Sequence, residues 1–89
     1  MPVRSNNYWL QEIANGTVIK SNNSWLKQIA GGAPNETKSN NEWLRIKAGG
    51  TGIHSDNYWL KQIAGLGASN ETRSDNYYLE YISTNNLIP

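Results

Sequence analysis

Few side chains in this sequence are equipped for chemistry near neutral pH. There is one histidine, His54, and no cysteine, against seven acidic residues. A Ser-His-Asp or Cys-His constellation needs a base oriented by a third group. Only His54 is of a type that could act there, and it stands where every other copy of a repeated phrase carries Lys or Arg, so it reads as a stand-in for them. The carboxylates come one or two to a repeat without converging, which offers no ligand set for a metal. The glycines follow apolar runs and are not succeeded by the Lys-Ser/Thr of a phosphate-cradling loop. The expectation is no catalytic residue, no cofactor and no metal.

What the chain does carry is repetition. Five segments align: SNNYWLQEIA from Ser5, SNNSWLKQIA from Ser21, SNNEWLRIKA from Ser39, SDNYWLKQIA from Ser55 and SDNYYLEYIS from Ser74. Their serines are 16, 18, 16 and 19 residues apart, so short and long intervals alternate. The connectors alternate too. Gly-Thr-x-Ile recurs at Gly16 to Ile19 and Gly50 to Ile53, and Asn-Glu-Thr followed by a cation recurs at Asn35 to Lys38 and Asn70 to Arg73. Residues 5–38 and 39–73 are therefore two copies of a two-segment unit of 34 to 35 residues, and the fifth segment opens a third, in the manner of a terminal cap. The unit length is that of tetratricopeptide arrays, but the segments are too short and lack that family's pattern of small and large residues.

Each segment reads as a short helix, over 5–14, 21–30, 39–48, 55–64 and 74–83, with a tail at 84–89. A serine ahead of the apolar run can accept from an unpaired first-turn amide. Taking Trp9 as zero, Ile13 falls at about 40°, Leu10 at about 100° and Ala14 at about 140°, one continuous apolar arc. Asn15-Gly16, Gly31-Gly32, Gly49-Gly50 and Gly65 then supply residues that turn left-handed and end a helix. Two or three turns are not stable alone in water, so the stripes must be buried. They comprise Trp9, Leu10 and Ile13; Trp25, Leu26 and Ile29; Trp43, Leu44 and Ile46; Trp59, Leu60 and Ile63; and Tyr78, Leu79 and Ile82. A buried Trp contributes about 2 to 3 kcal/mol by area. The fold class predicted is all-α: one domain of five short tandem helices, as a small solenoid or extended array.

Beyond helix formation, three positions recur. A basic residue precedes each serine: Arg4, Lys20, Lys38, His54 and Arg73. It lies at the unfavourable end of its own helix dipole, so it should reach the carboxyl end of a neighbouring helix or an acidic groove on a partner. An Asn follows each serine by two places: Asn7, Asn23, Asn41, Asn57 and Asn76. The first expectation is that it supplies the cap itself, the second that it bonds across to the adjacent repeat or to a partner. The residue before the Trp varies, as Tyr8, Ser24, Glu42, Tyr58 and Tyr77, which fits an outward face. The third segment breaks register at Ile46 and Lys47, so its helix should pack differently. Leu87 and Ile88 form an apolar tail suited to docking into a neighbour.

The totals narrow the class further. The chain has 89 residues, 37% of them hydrophobic, with four Trp, five Tyr and no Phe. That is a thin core for one small domain, and without cysteine it has no disulfide staple. Stability must come from stacking, self-association or a partner. A net charge of +1 argues against a basic nucleic-acid surface. No apolar run is long enough to span a bilayer and no leader pattern opens the chain, so a soluble protein without membrane or small-molecule partners is expected. The Asn-x-Ser/Thr triplets at Asn15, Asn22, Asn35 and Asn70 carry no weight in so Asn-rich a chain.

The phrase Ser-Asn-Asn-Tyr-Trp-Leu-x-x-Ile-Ala followed by glycine resembles small tandem-repeat structural proteins of tailed bacteriophages, and the likeness runs from Ser5 to Ser83. It implies a virion component, a decoration, fibre-associated or head-to-tail protein, that binds a larger virion protein or itself as an oligomer through its repeated helices. It brings no functional residues with it. The rival reading is a free-standing helical adaptor or glycan-binding module that uses Tyr8, Tyr58, Tyr77 and the asparagines as an exposed surface.

Overall fold

In a computed structural model, residues 3–88 are described. They contain five α-helices: α1 Asn6–Ala14, α2 Asn22–Ala30, α3 Asn40–Ala48, α4 Asp56–Ile63 and α5 Asp75–Thr84. These are the five tandem helices read from the sequence, each starting one residue after its serine. Ser5, Ser21, Ser39, Ser55 and Ser74 sit in extended backbone and accept through Oγ from the amide three residues on, at 3.1 Å in every copy. With the serine in place, the asparagine two residues later is not needed as a cap.

The five carboxyl ends are also alike. One residue in each turns left-handed: Asn15, Gly31, Gly49, Gly65 and Asn86. Its amide bonds three residues back, and the next amide bonds five residues back, as in Gly16 N–H to Gln11 and Leu66 N–H to Lys61. This is the Schellman termination. The paired glycines look alike in the sequence, and the structure divides their work. Gly31 and Gly49 carry the left-handed turn with open space around them, whereas Gly16, Gly32 and Gly50 are the floors on which the rings of Trp25, Trp43 and Trp59 rest. Each of these three indoles is thus seated on the end of the preceding helix.

The chain does not extend as an open array: α1 packs on α2, α2 on α3, α3 on α4, α4 on α5, and α5 back on α1. The result is a closed ring of five parallel helices, a disc of 38 × 35 × 19 Å. A nine-residue helix is about 13 to 14 Å long, which sets the disc's thickness. Closure follows from the stripe geometry. Leu10, Leu26, Leu44, Leu60 and Leu79 line a common axis, while the neighbouring Trp or Tyr fills each gap between helices. Two contact directions at an angle on every helix curve the row until its ends meet, and the free ends of a solenoid disappear.

Buried residues include Trp9, Leu10, Ile13, Trp25, Leu26, Trp43, Leu44, Trp59, Leu60, Tyr78, Leu79 and Ile82, with Ile29 and Ile63 packed partly buried against them. Ile46 is the exception at 37% exposure. Its helix nonetheless occupies its place in the ring as its siblings do, because Trp43 and Leu44 carry the packing. The register break is absorbed by Lys47, which borders the axis where the other copies place Ile13, Ile29, Ile63 and Ile82. The tail also departs from expectation: Ile88 packs on this chain's own core beside Ile13 and Ile82, and Leu87 remains exposed.

The two-helix period survives in the connectors alone. Two residues after the Trp, α1 and α3 carry Gln11 and Arg45, which donate to the carbonyls of Gly16 and Gly50. At the same place α2 and α4 carry Lys27 and Lys61, which reach further, Lys27 to Pro34 and Glu36 and Lys61 to Ser69. Short connectors are held by short reaches and long connectors by lysine.

Candidate functional site

The recurring polar residues form a belt around the amino-terminal end of the ring. Asn7 donates through Nδ2 to the Lys20 carbonyl and to Asn22 Oδ1, both at 2.8 Å. Asn23 does the same to Lys38 and Asn40, Asn41 to His54 and Asp56, and Asn57 to Arg73 and Asp75. Asn76 closes the circuit onto Arg4 at 2.7 Å and Asn6 at 2.9 Å, across some seventy residues of sequence. Each amide nitrogen spends both hydrogens on the next repeat. The alternative to capping, a bond to the adjacent repeat, is therefore what the geometry holds.

The acceptors Asn6, Asn22, Asn40, Asp56 and Asp75 were not singled out in the sequence. Their signal was present, because only Asn or Asp follows the serine in any copy. A side chain of one methylene carrying an acceptor oxygen suffices there, and Asp56 and Asp75 additionally place negative charge at a helix amino terminus.

The carbonyl of each pre-serine cation is thus fixed by the belt. Its side chain does not reach a neighbouring helix's carboxyl end but folds onto the aromatics of its own helix. Arg4 lies 4.6 Å from the centre of the Tyr8 ring and Arg73 4.9 Å from that of Tyr77. His54 stacks on Tyr58 at 3.7 Å with its edge against Trp59. Where the residue before the Trp is Ser24 or Glu42, the cation is lysine and covers the Trp itself: Lys20 is 5.3 Å from Trp25 and Lys38 5.8 Å from Trp43. The attraction of a cation to a ring face offsets its unfavourable place at the helix start.

Immediately before each cation stands a β-branched residue: Val3, Ile19, Thr37, Ile53 and Thr72. Val3 is 90% exposed, Ile19 94% and Ile53 98%. These aliphatic side chains contribute nothing to the core, and the next residue's carbonyl in each case is anchored by the asparagine belt. Around the rim the ring therefore presents five similar edge segments, each an exposed branched residue (aliphatic in three copies, Thr in two), a basic side chain laid on an aromatic, and a capping serine.

The indole N–H groups of Trp9, Trp25, Trp43 and Trp59 are enclosed without a hydrogen-bond acceptor from the described residues. An unpaired buried donor costs about 1 to 3 kcal/mol, and burial of the large ring outweighs it. In the fifth copy Tyr78 avoids the penalty, since its hydroxyl accepts from the Arg73 amide at 3.1 Å. On α3, Arg45 bonds Glu42 at 2.8 Å. That hydrogen bond holds the Glu42 carboxyl below its ordinary range and raises Arg45.

Among the described residues no three histidines, cysteines or carboxylates come together in a way that could hold a metal, and no helix is long and apolar enough to cross a membrane. Comparison with known proteins found no matching family model, no similar curated protein and no similar solved structure.

Proposed function

We propose that this protein is a non-enzymatic binding module, a rigid disc whose five similar edge segments engage a larger macromolecular partner. The resemblance of its repeat to small structural proteins of tailed bacteriophages makes a virion protein the partner of choice. The observation that carries the reading is the near-complete exposure of Val3, Ile19 and Ile53, each one residue before a carbonyl that the belt holds in place. Folding gains nothing from an aliphatic side chain left in water, whereas a preordered contact surface loses little entropy on binding. Five weak contacts on one rigid frame add up through effective concentration.

The closed ring changes one part of the expectation. Its Trp stripes are buried within a single chain, so self-association is not required to hide them, and the isolated protein should be a folded monomer. A decoration or accessory role is then one of docking onto a preformed surface.

The test is protein mass spectrometry of purified particles of the phage that encodes the chain, with a strain carrying Ile19→Ser and Ile53→Ser beside the parent. The proposal expects the chain in particles at a fixed ratio to a major virion protein and depleted in the double variant. A chain confined to the lysate supernatant would refute the virion assignment. Equal incorporation of the double variant would refute the edge segments as the contact.

A further inference from the structure

The repeats differ most between α4 and α5, and the differences gather at one place. The connector there is the longest, the Trp position holds Tyr78, and Tyr81 replaces the Glu12, Gln28, Ile46 or Gln62 of the other copies. None of these changes is needed to pack neighbouring helices, which the α1–α2, α2–α3 and α3–α4 gaps accomplish with Trp on Gly. Together they open a cleft of about 100 Å³ between the connector and α5, bordered by Ser69, Glu71, Arg73, Tyr77, Tyr78 and Tyr81, with Leu66 at its side. A second depression of about 210 Å³ lies along Tyr77 and Tyr81, against Glu80 and Thr84.

Tyr77 and Tyr81 are one helical turn apart with ring planes only 20° from parallel and centres 6.4 Å apart, so their faces share an orientation, and Arg73 already covers one face of Tyr77. Beside them Arg73 and Glu71 pair at 2.7 Å, giving a planar donor and a planar acceptor side by side. Ser69 Oγ accepts from the Glu71 amide, and the buried Tyr78 hydroxyl accepts from the Arg73 amide. Both bonds leave the hydroxyl's own hydrogen to be given elsewhere.

We infer that this cleft is a binding site for a neutral oligosaccharide, whose sugar rings lie on Tyr77 and Tyr81 while their hydroxyls meet Arg73, Glu71, Ser69 and Tyr78. The chemistry fits a sugar on two counts. A pyranose offers an apolar C–H face to aromatic rings and a rim of hydroxyls that both donate and accept, which matches mixed polar groups next to stacked tyrosines. Nucleobases would also stack, but their phosphates would meet Glu71 and Glu80, and a single-strand groove is lined by cations instead. This site shares Arg73 and Tyr77 with the fifth of the rim segments proposed to dock a protein, but not the exposed aliphatic residues Val3, Ile19 and Ile53 on which that proposal rests, so either can hold without the other.

The experiment is a ¹H–¹⁵N NMR titration of the full chain with chitohexaose, cellohexaose and maltohexaose, and with a thymidine hexanucleotide for comparison. At least one sugar should shift the amides of Ser69, Glu71, Tyr77, Tyr78 and Tyr81 while leaving the α2–α3 side of the ring unmoved. Tyr81→Gln installs the residue found in α2 and α4, which those helices accommodate, and should weaken that binding about tenfold. Silence from all three sugars, a response to the hexanucleotide alone, or unchanged affinity in Tyr81→Gln would overturn the proposal.

Discussion

The tightest contact in the ring is that between a glycine and the next repeat's Trp, and it makes a sharp prediction. A Cβ added at Gly32 would lie 2.5 Å from Trp43 Cη2, 2.7 Å from Cζ3 and 2.9 Å from Lys27 Cγ. Carbon atoms in ordinary contact are about 3.5 to 4.0 Å apart, so in Gly32→Ala the indole must retreat by about 1 Å. Trp43 is only 1% exposed and has no empty side to move into. Overpacking of this kind costs about 1 to 3 kcal/mol, and a partly displaced indole adds to it, so a loss of about 3 kcal/mol is expected. Gly31→Ala is the internal control. Its backbone is left-handed, with φ +78°, but nothing lies within 4 Å of the added carbon, so only the strain of about 1 kcal/mol applies. Urea unfolding followed by far-ultraviolet circular dichroism measures both. Near-ultraviolet dichroism should change in Gly32→Ala and not in Gly31→Ala. Trp43→Tyr in the Gly32→Ala background should recover part of the loss, as Tyr78 accompanies Leu66 in place of glycine at the α4–α5 gap. Equal losses at the two glycines, or a larger one at Gly31, would refute the seating of Trp on glycine.

Three further outcomes follow from the same geometry. Asn57→Ala removes two bonds to the next repeat, the one to Arg73 exposed and the one to Asp75 part-buried, which at about 0.5 to 1.5 kcal/mol each should cost about 1 to 3 kcal/mol in urea unfolding. Lys47→Ile restores the residue type that the other four helices place beside the axis, and the added apolar burial should raise stability by about 1 kcal/mol, read as a higher melting temperature. Glu42 is held below its ordinary pKa by Arg45, so its contribution is present above the unfolded value and is lost as pH falls through the lowered one. The small stability difference between the parent and Glu42→Gln should therefore be present at neutral pH and vanish in acid.

The helices were legible in the sequence because their signals are local. A serine cap, the Trp-Leu stripe and a left-handed residue each act within a few positions, and all five helices lie where those signals put them. Closure was not legible, since it depends on the angle between two packing directions on every helix, which no single segment reports. The complementarity that seals the seam was nevertheless written in the first and last copies, where Asn76 finds at Arg4 and Asn6 the partners that every other belt asparagine finds in the repeat after it. The role of Asn7 and its equivalents was open between cap and cross-link for the same reason: the serine satisfies the cap, and the leftover hydrogens find their partners only once a neighbour is in place. Ile46 read as a packing residue because it is an isoleucine in an apolar phrase. Its angular position next to Lys47 puts it outside, and side-chain type alone was a poor guide there. The sugar cleft draws on departures from the repeat, Tyr78 and Tyr81, which a search for likeness passes over.

The central claim is that one chain closes the ring on itself through α1 and α5. The most direct test is an isotope-filtered NOESY on an equimolar mixture of labelled and unlabelled protein, watching the Asn76 side-chain amide. Closure within the chain predicts contacts from that amide to Arg4 and Asn6 that survive when only intramolecular transfer is selected and disappear when only intermolecular transfer is selected. Contacts seen solely between chains, or none at all, would contradict it.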